Sequence, residues 1–388
     1  MNIKDAAQNY ADYTIENRRY IHKHPELSFQ EENTSRYVRE KLTEMGIPFT
    51  TSVKYGTVGF IGGKKPGKTV LLRADMDALP MQEENECDFA SAVPGVMHAC
   101  GHDSHTAMLL TACRILKDME DEIPGTVKFV FQPSEENGAG ARAMLEEGGL
   151  LDGVDACFAC HVWADVKSGT VAVNSGAVMA SANRFEITVN GKKSHGSAPH
   201  QGCDALTTAA ALVGELQSIV SREIDPQEPC VITVGSFHCG TTWNIIADSA
   251  TLVGTTRCFS KEVNDFLPEA MERVVKNVCA AHRCEGELTY TRIVPPTVND
   301  PAAAEIAKGA VEKIYGKGAA VTMKPTAGGE DFSLYIQDIP GVLAMIGIYN
   351  PDIDAVYANH HGKFKVDEEQ MVKGAGLLVQ MAMDYLNA

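Results

Sequence analysis

The 388-residue sequence contains no run of about 18 apolar residues, so we expect no transmembrane helix. It also lacks an excess of basic residues, since 34 Lys and Arg stand against 51 Asp and Glu, giving a net charge of −17. This acidic balance argues against nucleic acid or an anionic membrane as the main partner. The sequence shows no internal repeat or low-complexity segment. An apolar fraction of 44% suffices for full cores, and the length suggests two domains or one large one.

The N-terminal residues lack the apolar segment that a secretory signal peptide requires. The 11 cysteines are an odd number in a chain without such a signal. We therefore expect a reduced, cytoplasmic protein. Cys157 and Cys160 form a CxxC pair, but they lie in an apolar, strand-like run. We interpret them as small buried residues rather than as a redox pair.

Strand and helix patterns alternate over the first 180 residues. The patterns predict helices over 3–24, 104–118 and 138–150, and strands over 57–63, 69–77, 125–133 and 154–163. A KKPGK turn joins the first two of these strands. The nearly all-apolar run at 154–163 is typical of the buried middle of a sheet. The pattern predicts an α/β domain with a mixed, largely parallel sheet and flanking helices.

The hydrophobic pattern changes near residue 182 to the order β-α-β-β-α-β. This order is the ferredoxin-like arrangement. We predict an inserted α+β domain over 182–294. It would interrupt a larger domain formed by 1–181 and 295–388.

Five residues of the types that bind metals stand in four separate places, each near a strand end, a glycine turn or a helix start. They are Cys100, His102, Glu136, His161 and His360. Thiolate, imidazole and carboxylate groups suit zinc and its first-row neighbours. Each residue alone is more often structural, but sites in open α/β sheets form beyond the carboxyl ends of the strands. We therefore expect most of this set to meet at one rim of the sheet.

Five ligands exceed the three that a catalytic zinc usually takes from a protein. Two metal ions that share one ligand fit the set better, and such pairs activate water and polarise a carbonyl group. Glu135 and Glu136 are adjacent, so one can bind metal while the other takes a proton from the water. The residues thus point to a hydrolase.

Seven motifs occur in the order RADMDALPM, GVMHACGHDSHTAMLL, QPSEENGAGARAMLEEG, HVW, GKKSHGSAPH, GGEDF and NHHGKFKVDEE. In this order they resemble the amidohydrolase branch of the dinuclear-metal aminoacylase/carboxypeptidase family, over about residues 20–370. The resemblance implies two divalent metal ions per subunit. Zinc or manganese is expected, with cobalt or nickel as alternatives. It also implies an N-acyl amino acid substrate and a homodimer formed through the inserted domain.

The resemblance also implies roles for individual residues. Cys100 matches the ligand that bridges the two metal ions, and His102, Glu136 and His161 match further ligands. Glu135 matches the general base.

The C-terminal ligand has two candidates, His360 and His361. In the family this ligand lies seven residues before the Asp of an Asp-Glu pair, which is Asp367-Glu368 here, so the match is His360. Relatives usually carry proline where Gly362 stands.

Other residues match supporting positions. His195 matches the histidine that stabilises the oxyanion of the transition state, in its own or a neighbouring subunit. Asn244 and Arg257 match substrate-binding positions, and Asp77 matches an aspartate that supports the metal centre by hydrogen bonding. For Asp103 and His105, support of the site and capping of the following helix both remain open. Glu330 and Asp331 are expected to order a loop near the site.

The expected reaction is hydrolysis of the amide bond of N-acyl amino acids. A dipeptidase or carboxypeptidase of the same family is one alternative, and a non-catalytic metal- or ligand-binding protein is another. Gly138, Gly140 and Ala143 mimic a dinucleotide-binding fingerprint. The segment before them is too long for the usual strand-to-helix turn, and its glutamates would repel a pyrophosphate. We expect these glycines to permit a tight backbone turn instead.

Overall fold

The computed structural model describes all 388 residues and divides into two compact units. Unit 1 contains residues 1–178, 298–324 and 331–388, and unit 2 contains residues 179–297 and 325–330. The inserted domain predicted at 182–294 differs by three residues at each end from the long segment of unit 2. None of the helices combines the length and apolar character needed to cross a lipid bilayer.

The α-helices are α1 (Ile3–Asn9), α2 (Ala11–Lys23), α3 (Glu32–Glu44), α4 (His102–Asp118), α5 (Gly140–Glu146), α6 (Ala205–Arg222), α7 (Lys261–Ala281), α8 (Pro301–Tyr315) and α9 (Glu368–Asn387). The strands are β1 (Phe49–Ser52), β2 (Gly56–Gly62), β3 (Lys68–Asp75), β4 (Gly125–Gln132), β5 (Ala156–Lys167), β6 (Val171–Ala172), β7 (Gly176–Met179), β8 (Ala182–Asn190), β9 (Ser194–His195), β10 (Cys230–Cys239), β11 (Ile245–Ile246), β12 (Ser249–Cys258), β13 (Glu285–Val294), β14 (Thr297–Asn299), β15 (Ala320–Val321) and β16 (Gly341–Tyr349).

Unit 1 is built on an eight-stranded sheet in the order β1-β2-β4-β3-β5-β16-β6-β15. The four central strands, β4, β3, β5 and β16, run parallel to one another, whereas β1 and β2 pair antiparallel. The predicted α/β class with a largely parallel sheet is therefore confirmed. Strands β2 and β3, which the KKPGK turn joins, are not neighbours, because β4 lies between them.

The central strands carry the core of unit 1, because apolar side chains on both faces are covered. Helices α4 and α9 pack against each other, and most residues of each are buried. The buried residues of α4 include polar ones, and Asp103, His105 and Thr106 are each hydrogen-bonded to other segments of unit 1. This core fixes the strand ends and the start of α4.

The predicted helix over 3–24 is wrong as a single element, because the chain breaks at Tyr10 into α1 and α2. The Tyr10 hydroxyl hydrogen-bonds to Asp118, and its ring lies under the guanidinium of Arg114, 5.4 Å away. Both partners belong to α4. A contact between distant segments thus sets the break, and no glycine or proline marks it in the sequence.

Unit 2 is a ferredoxin-like domain, as predicted. Its four-stranded antiparallel sheet has the order β10-β12-β8-β13. Helices α6 and α7 pack against each other and against this sheet, around a core that includes Phe185, Leu252 and Met271. A separate two-stranded ribbon, β9 with β11, pairs His195 with Ile245.

Candidate metal centre

The predicted metal-binding residues of unit 1 meet near the carboxyl ends of β3 and β4, and His161 lies inside β5 rather than at its end. Glu136 follows β4. Cys100 and His102 lie at the start of α4. β5 pairs with β3 only as far as Ala159, so His161 stands just beyond that pairing. This is the rim at which sites form in open α/β sheets.

All five predicted ligands come together there, in two groups that share Cys100. Ligand atoms of Cys100, His102 and His161 lie within 4.8 Å of one another, and so do those of Cys100, Glu136 and His360. Cys100 Sγ is 3.4 Å from His161 Nε2, and His360 Nε2 is 3.5 Å from Glu136 Oε1. Two ligand groups with one common sulfur match the arrangement of a paired-metal site.

Hydrogen bonds fix which nitrogen of each buried histidine faces the centre. His102 Nδ1 donates to the carbonyl and the carboxylate of Asp77, at 2.9 and 3.2 Å, and His161 Nδ1 donates to Val162 O at 2.8 Å. In both rings Nε2 is therefore left to bind a metal ion.

Two polar atoms at the centre are buried without a hydrogen bond, namely His102 Nε2 and Glu136 Oε1. Such orphaned atoms are rare in folded proteins. A divalent cation among the thiol, imidazole and carboxylate groups would satisfy both. The residues present thus fit the divalent metal ions that the sequence predicts.

Burial shifts the pKa values of Cys100 and His161, whereas the pKa of His102 is raised well above its usual value, against the effect of burial, by Asp75 and other neighbouring groups. Burial raises the pKa of the Cys100 thiol well above its usual range, and the nearby Glu136 carboxylate acts in the same direction. Burial also lowers the pKa of His161, so that ring is neutral. A neutral imidazole can bind a metal ion directly. A bound divalent cation would stabilise the Cys100 thiolate and so lower the pKa of this thiol.

Two buried carboxylates hold the loop that carries Glu135 and Glu136. Asp77 accepts from the backbone N–H groups of both glutamates, each at 3.0 Å. Glu31 accepts from the N–H of Ser134 at 2.8 Å, where the backbone has a φ of 62°. Three consecutive N–H groups thus point at two carboxylates, which fixes the direction of both glutamates. The sequence pattern does not reveal this role of Glu31, because an acidic residue beside a helix start resembles an ordinary helix-capping group.

The turn after these glutamates requires Gly140. A Cβ atom there would lie 1.7 Å from the carbonyl oxygen of Pro133. This close approach accounts for the glycine without a bound nucleotide.

His105 and Asp103 both make buried hydrogen bonds close to the predicted ligands. His105 Nδ1 hydrogen-bonds to Asp75 at 2.6 Å, and its Nε2 accepts from the backbone N–H of Val162 at 2.9 Å. Both ring nitrogens are thus engaged, and the residue after His161 is held. Asp103 accepts from Arg18 at 2.7 Å and contacts His22 at 2.9 Å, so it ties α4 to α2 and does not cap α4.

The C-terminal loop presents His360 to the centre and turns His361 away. The N–H of His360 donates to Ala99 O at 2.8 Å. The ring of His361 stacks on Tyr357 with centroids 4.7 Å apart, and its Nδ1 accepts from the N–H of Lys363. A Cβ atom at Gly362 would lie 2.9 Å from the carbonyl oxygen of Gln82, so this backbone has no room for the proline of relatives.

Asp331 lies in a buried network of unit 1. Its carboxylate accepts from the guanidinium of Arg73, from Gln132 Nε2 at 2.9 and 2.8 Å, and from the N–H of Ala141 at 3.0 Å. Its own N–H donates to Glu135 Oε1 at 3.3 Å. Asp331 thereby connects two strands with the loop of Glu135. Its neighbour Glu330 belongs to unit 2.

Two further predicted site residues lie in unit 2: His195 is on strand β9 of the ribbon, and Asn244 directly precedes strand β11. The N–H of Gly196 donates to Asn244 O at 2.8 Å, so His195 and Asn244 are held together. His195 Nδ1 accepts from the N–H of Ser197 at 3.1 Å, which leaves Nε2 as the proton-bearing nitrogen of the exposed ring. Arg257 is not on this ribbon. It lies on β12 and donates to Thr255 Oγ1 at 2.6 Å.

Residues 71–384 match the peptidase family M20/M25/M40. The Bacillus subtilis (strain 168) protein YhaA, named as an amidohydrolase, is 40% identical over 96% of this chain and 94% of its own length. Thermostable carboxypeptidase 1 of Saccharolobus solfataricus is 38% identical over 99% of this chain and 98% of its own. N-acetyl-L-cysteine deacetylase of Bacillus subtilis is 37% identical over 96% of this chain and 88% of its own.

A solved structure also indicates this family. The Bacillus subtilis YXEP protein, described as a dinuclear metal binding peptidase from the M20 family, superposes with a TM-score of 0.85 at 35% identity, over 98% of this chain and 99% of its own. The site geometry and these relatives lead to one conclusion: the chain belongs to the peptidase family M20/M25/M40 and is a hydrolase that acts on amide bonds.

Proposed function

We propose that this protein hydrolyses the amide bond of N-acyl amino acids with two divalent metal ions. The observation that carries the proposal is the pair of ligand groups that share Cys100. One ion would be held by Cys100, His102 and His161, and the other by Cys100, Glu136 and His360. The mixed donor set suits zinc or manganese, with cobalt or nickel as alternatives. When bound, such a pair of ions would lower the pKa of water and polarise a carbonyl group.

Glu135 is the proposed general base. Its side chain is 10% exposed and reaches to 3.9 Å from His102 Nε2, while its backbone is held by Asp77. In the reaction, Glu135 takes the proton of the attacking water as the oxygen adds to the acyl carbon. It then gives that proton to the amino acid nitrogen as the C–N bond breaks.

His195 and Arg257 are proposed to act on one substrate from two subunits. Arg257 would fork onto the amino acid carboxylate, beside Asn244 as a further contact, and Nε2–H of His195 would donate to the oxyanion. Strand β12 runs from Ser249, close to the ribbon in sequence, to Arg257. These two residues are eight positions apart, so about 26 Å of strand separates them at 3.3 Å per residue. An amino-acid-sized substrate does not span this length. A homodimer through the inserted domain would supply His195 from the second copy.

A carboxypeptidase or dipeptidase activity is the second candidate. The similarity to a thermostable carboxypeptidase favours it, since the two chains match over nearly their whole lengths. Both activities hydrolyse an amide next to a free carboxylate, so they would use the same residues. They differ in whether the acyl part is a simple acid or an amino acid.

The test is a substrate screen on protein reconstituted with zinc or manganese. N-acetyl, N-benzoyl and indoleacetyl amino acids are compared with dipeptides and with blocked peptides that have a free C-terminus. Faster turnover of the N-acyl amino acids supports the proposal, and faster turnover of the peptides supports the second candidate. Absence of turnover on every amide would favour the binding-protein alternative and contradict the proposed reaction.

Glu135→Gln is the matched variant. It keeps the size of the side chain and leaves all five proposed ligands in place, so metal content should stay at the wild-type level. Turnover should fall by about 10²–10⁴-fold, the usual contribution of a general base. Near-normal turnover in the metal-loaded variant would remove Glu135 from this role.

A further inference from the structure

Asn359 stands directly before His360, and its side chain bonds to two other segments that carry proposed ligands. Its Nδ2 donates to the carbonyl oxygens of Cys100, at 3.2 Å, and Val162, at 3.1 Å. Its Oδ1 accepts from the N–H of Ala164 at 3.1 Å. One amide group therefore joins the C-terminal loop to the start of α4 and to β5.

These contacts matter because packing does not hold the side chain of the C-terminal ligand. The His360 side chain is 52% exposed, and its backbone has a φ of 65°, which a residue with a side chain rarely adopts. By contrast, Cys100, His102 and His161 are all buried. Packing thus holds the first ligand group, whereas His360 in the second group depends on hydrogen bonds that place its loop.

We infer that Asn359 is a positioning residue that holds His360 in the second ligand group, and hence that occupancy of one metal position depends on it. The inference rests on the proposed assignment of Cys100, Glu136 and His360 as ligands. Asn359 itself binds neither substrate nor metal. Hydrogen-bonding partners that orient metal ligands are commonly worth about 10–100-fold in metal affinity.

Asn359→Asp is the informative change, because aspartate has nearly the same shape as asparagine. The carboxylate cannot donate to the two carbonyl oxygens, and its negative charge would face both of them. The loop should then withdraw His360, with no cavity formed. We expect the affinity for one of the two metal ions to fall by about 10–100-fold while the other is unaffected.

Asn174→Asp is the matched control. The Asn174 side chain also donates to two carbonyl oxygens, those of Ala177 and Met323, and accepts from the N–H of Met323. This asparagine lies in unit 1 but bonds to no segment that carries a ligand. The same chemical change there should leave metal binding at the wild-type level, even if it lowers stability.

The experiment titrates metal-free protein with Co²⁺ alone, by calorimetry and by visible absorption, which reports cobalt coordination. Wild type should bind about two ions per chain, and Asn359→Asp about one at the same free Co²⁺. Activity of the variant should return as Co²⁺ is raised about 100-fold. His361→Ala should resemble wild type, and His360→Ala should resemble Asn359→Asp.

Equal affinities in wild type and Asn359→Asp would overturn the role of Asn359 and leave the ligand assignment intact. Equal loss in Asn174→Asp would also overturn it, since general destabilisation would then explain the result. If His360→Ala keeps both ions, the ligand assignment itself fails. Should Asn359→Asp not fold, Asn359→Ser removes the same three bonds without adding charge, and the same titration decides.

Discussion

Replacing Asp331 with asparagine should destabilise unit 1 far more than an ordinary polar substitution. Asp331, Arg73 and Gln132 are all buried, and the Asp331 carboxylate receives hydrogen bonds from both partners and from Ala141 N–H. Asparagine keeps the volume but replaces one oxygen with an NH₂ group. If the NH₂ group takes the place of Oδ1, its N–H groups face the N–H donor of Arg73. If it takes the place of Oδ2, they face the backbone N–H of Ala141.

The magnitude follows from these contacts. One buried donor left unsatisfied costs about 1–3 kcal/mol, and a lost hydrogen bond to a charged group costs about 1.5–3 kcal/mol. Together they give about 2.5–6 kcal/mol, a range that includes the usual cost of about 3–5 kcal/mol for breaking one side of a buried ion pair. Proteins of ordinary stability have a free energy of unfolding of about 5–15 kcal/mol, so this loss is a large part of it.

The assay is urea unfolding of metal-free protein followed by tryptophan fluorescence. The chain has two tryptophans, Trp163 in unit 1 and the 94% exposed Trp243 in unit 2. In a Trp243→Phe background the signal reports unit 1 alone. Glu305→Ala is the control, because Glu305 pairs with Lys308 on the surface of α8 and should change stability by less than about 0.5 kcal/mol. A loss below about 1 kcal/mol for Asp331→Asn would refute the reasoning.

Two further predictions concern backbone fit and pH. Gly140→Ala should destabilise unit 1 by more than about 2 kcal/mol, because the new Cβ meets a backbone oxygen, whereas Gly309→Ala in α8 has open space and should stabilise it by about 0.5–1 kcal/mol. Urea unfolding of both variants checks this, and similar effects at the two positions would contradict it. Burial raises the pKa of Glu31 to about 7, with nearby Asp77 acting in the same direction. The folded state therefore holds the Glu31 proton more tightly than the unfolded chain does, and wild type should lose stability relative to Glu31→Gln as the pH rises from about 4 through 7, by an amount on the order of 1–3 kcal/mol. A stability difference that stays constant between pH 4 and 8 would rule out this titration.

Strands and helices were predictable wherever hydrophobic periodicity decides them. The all-apolar run of β5 and the alternating pattern of β8 needed no knowledge of distant residues. The break at Tyr10 was not predictable, because Arg114 and Asp118 of α4 cause it. Likewise, β4 separates β2 from β3 through pairing that the connecting turn does not encode.

The same division holds for the candidate site. Motif order and the spacing to Asp367 pointed to His360, and the structure sets that side chain against Glu136 while His361 stacks on Tyr357. Neither Glu31 nor Asn359 could be found in this way. Their importance lies in hydrogen bonds to Ser134, Cys100 and Val162, residues more than 100 positions away.

The sequence by itself determined which chemical groups the chain carries and the order in which they follow its strands. Those properties are local, because residue type and short-range periodicity decide them. The family resemblance already implied that Cys100 joins two ligand groups. Only the tertiary structure decided the distances within those groups, and which polar side chains hold the ligand loops. These depend on distances between segments far apart in the chain, which are set when the central strands and α4 pack into one core.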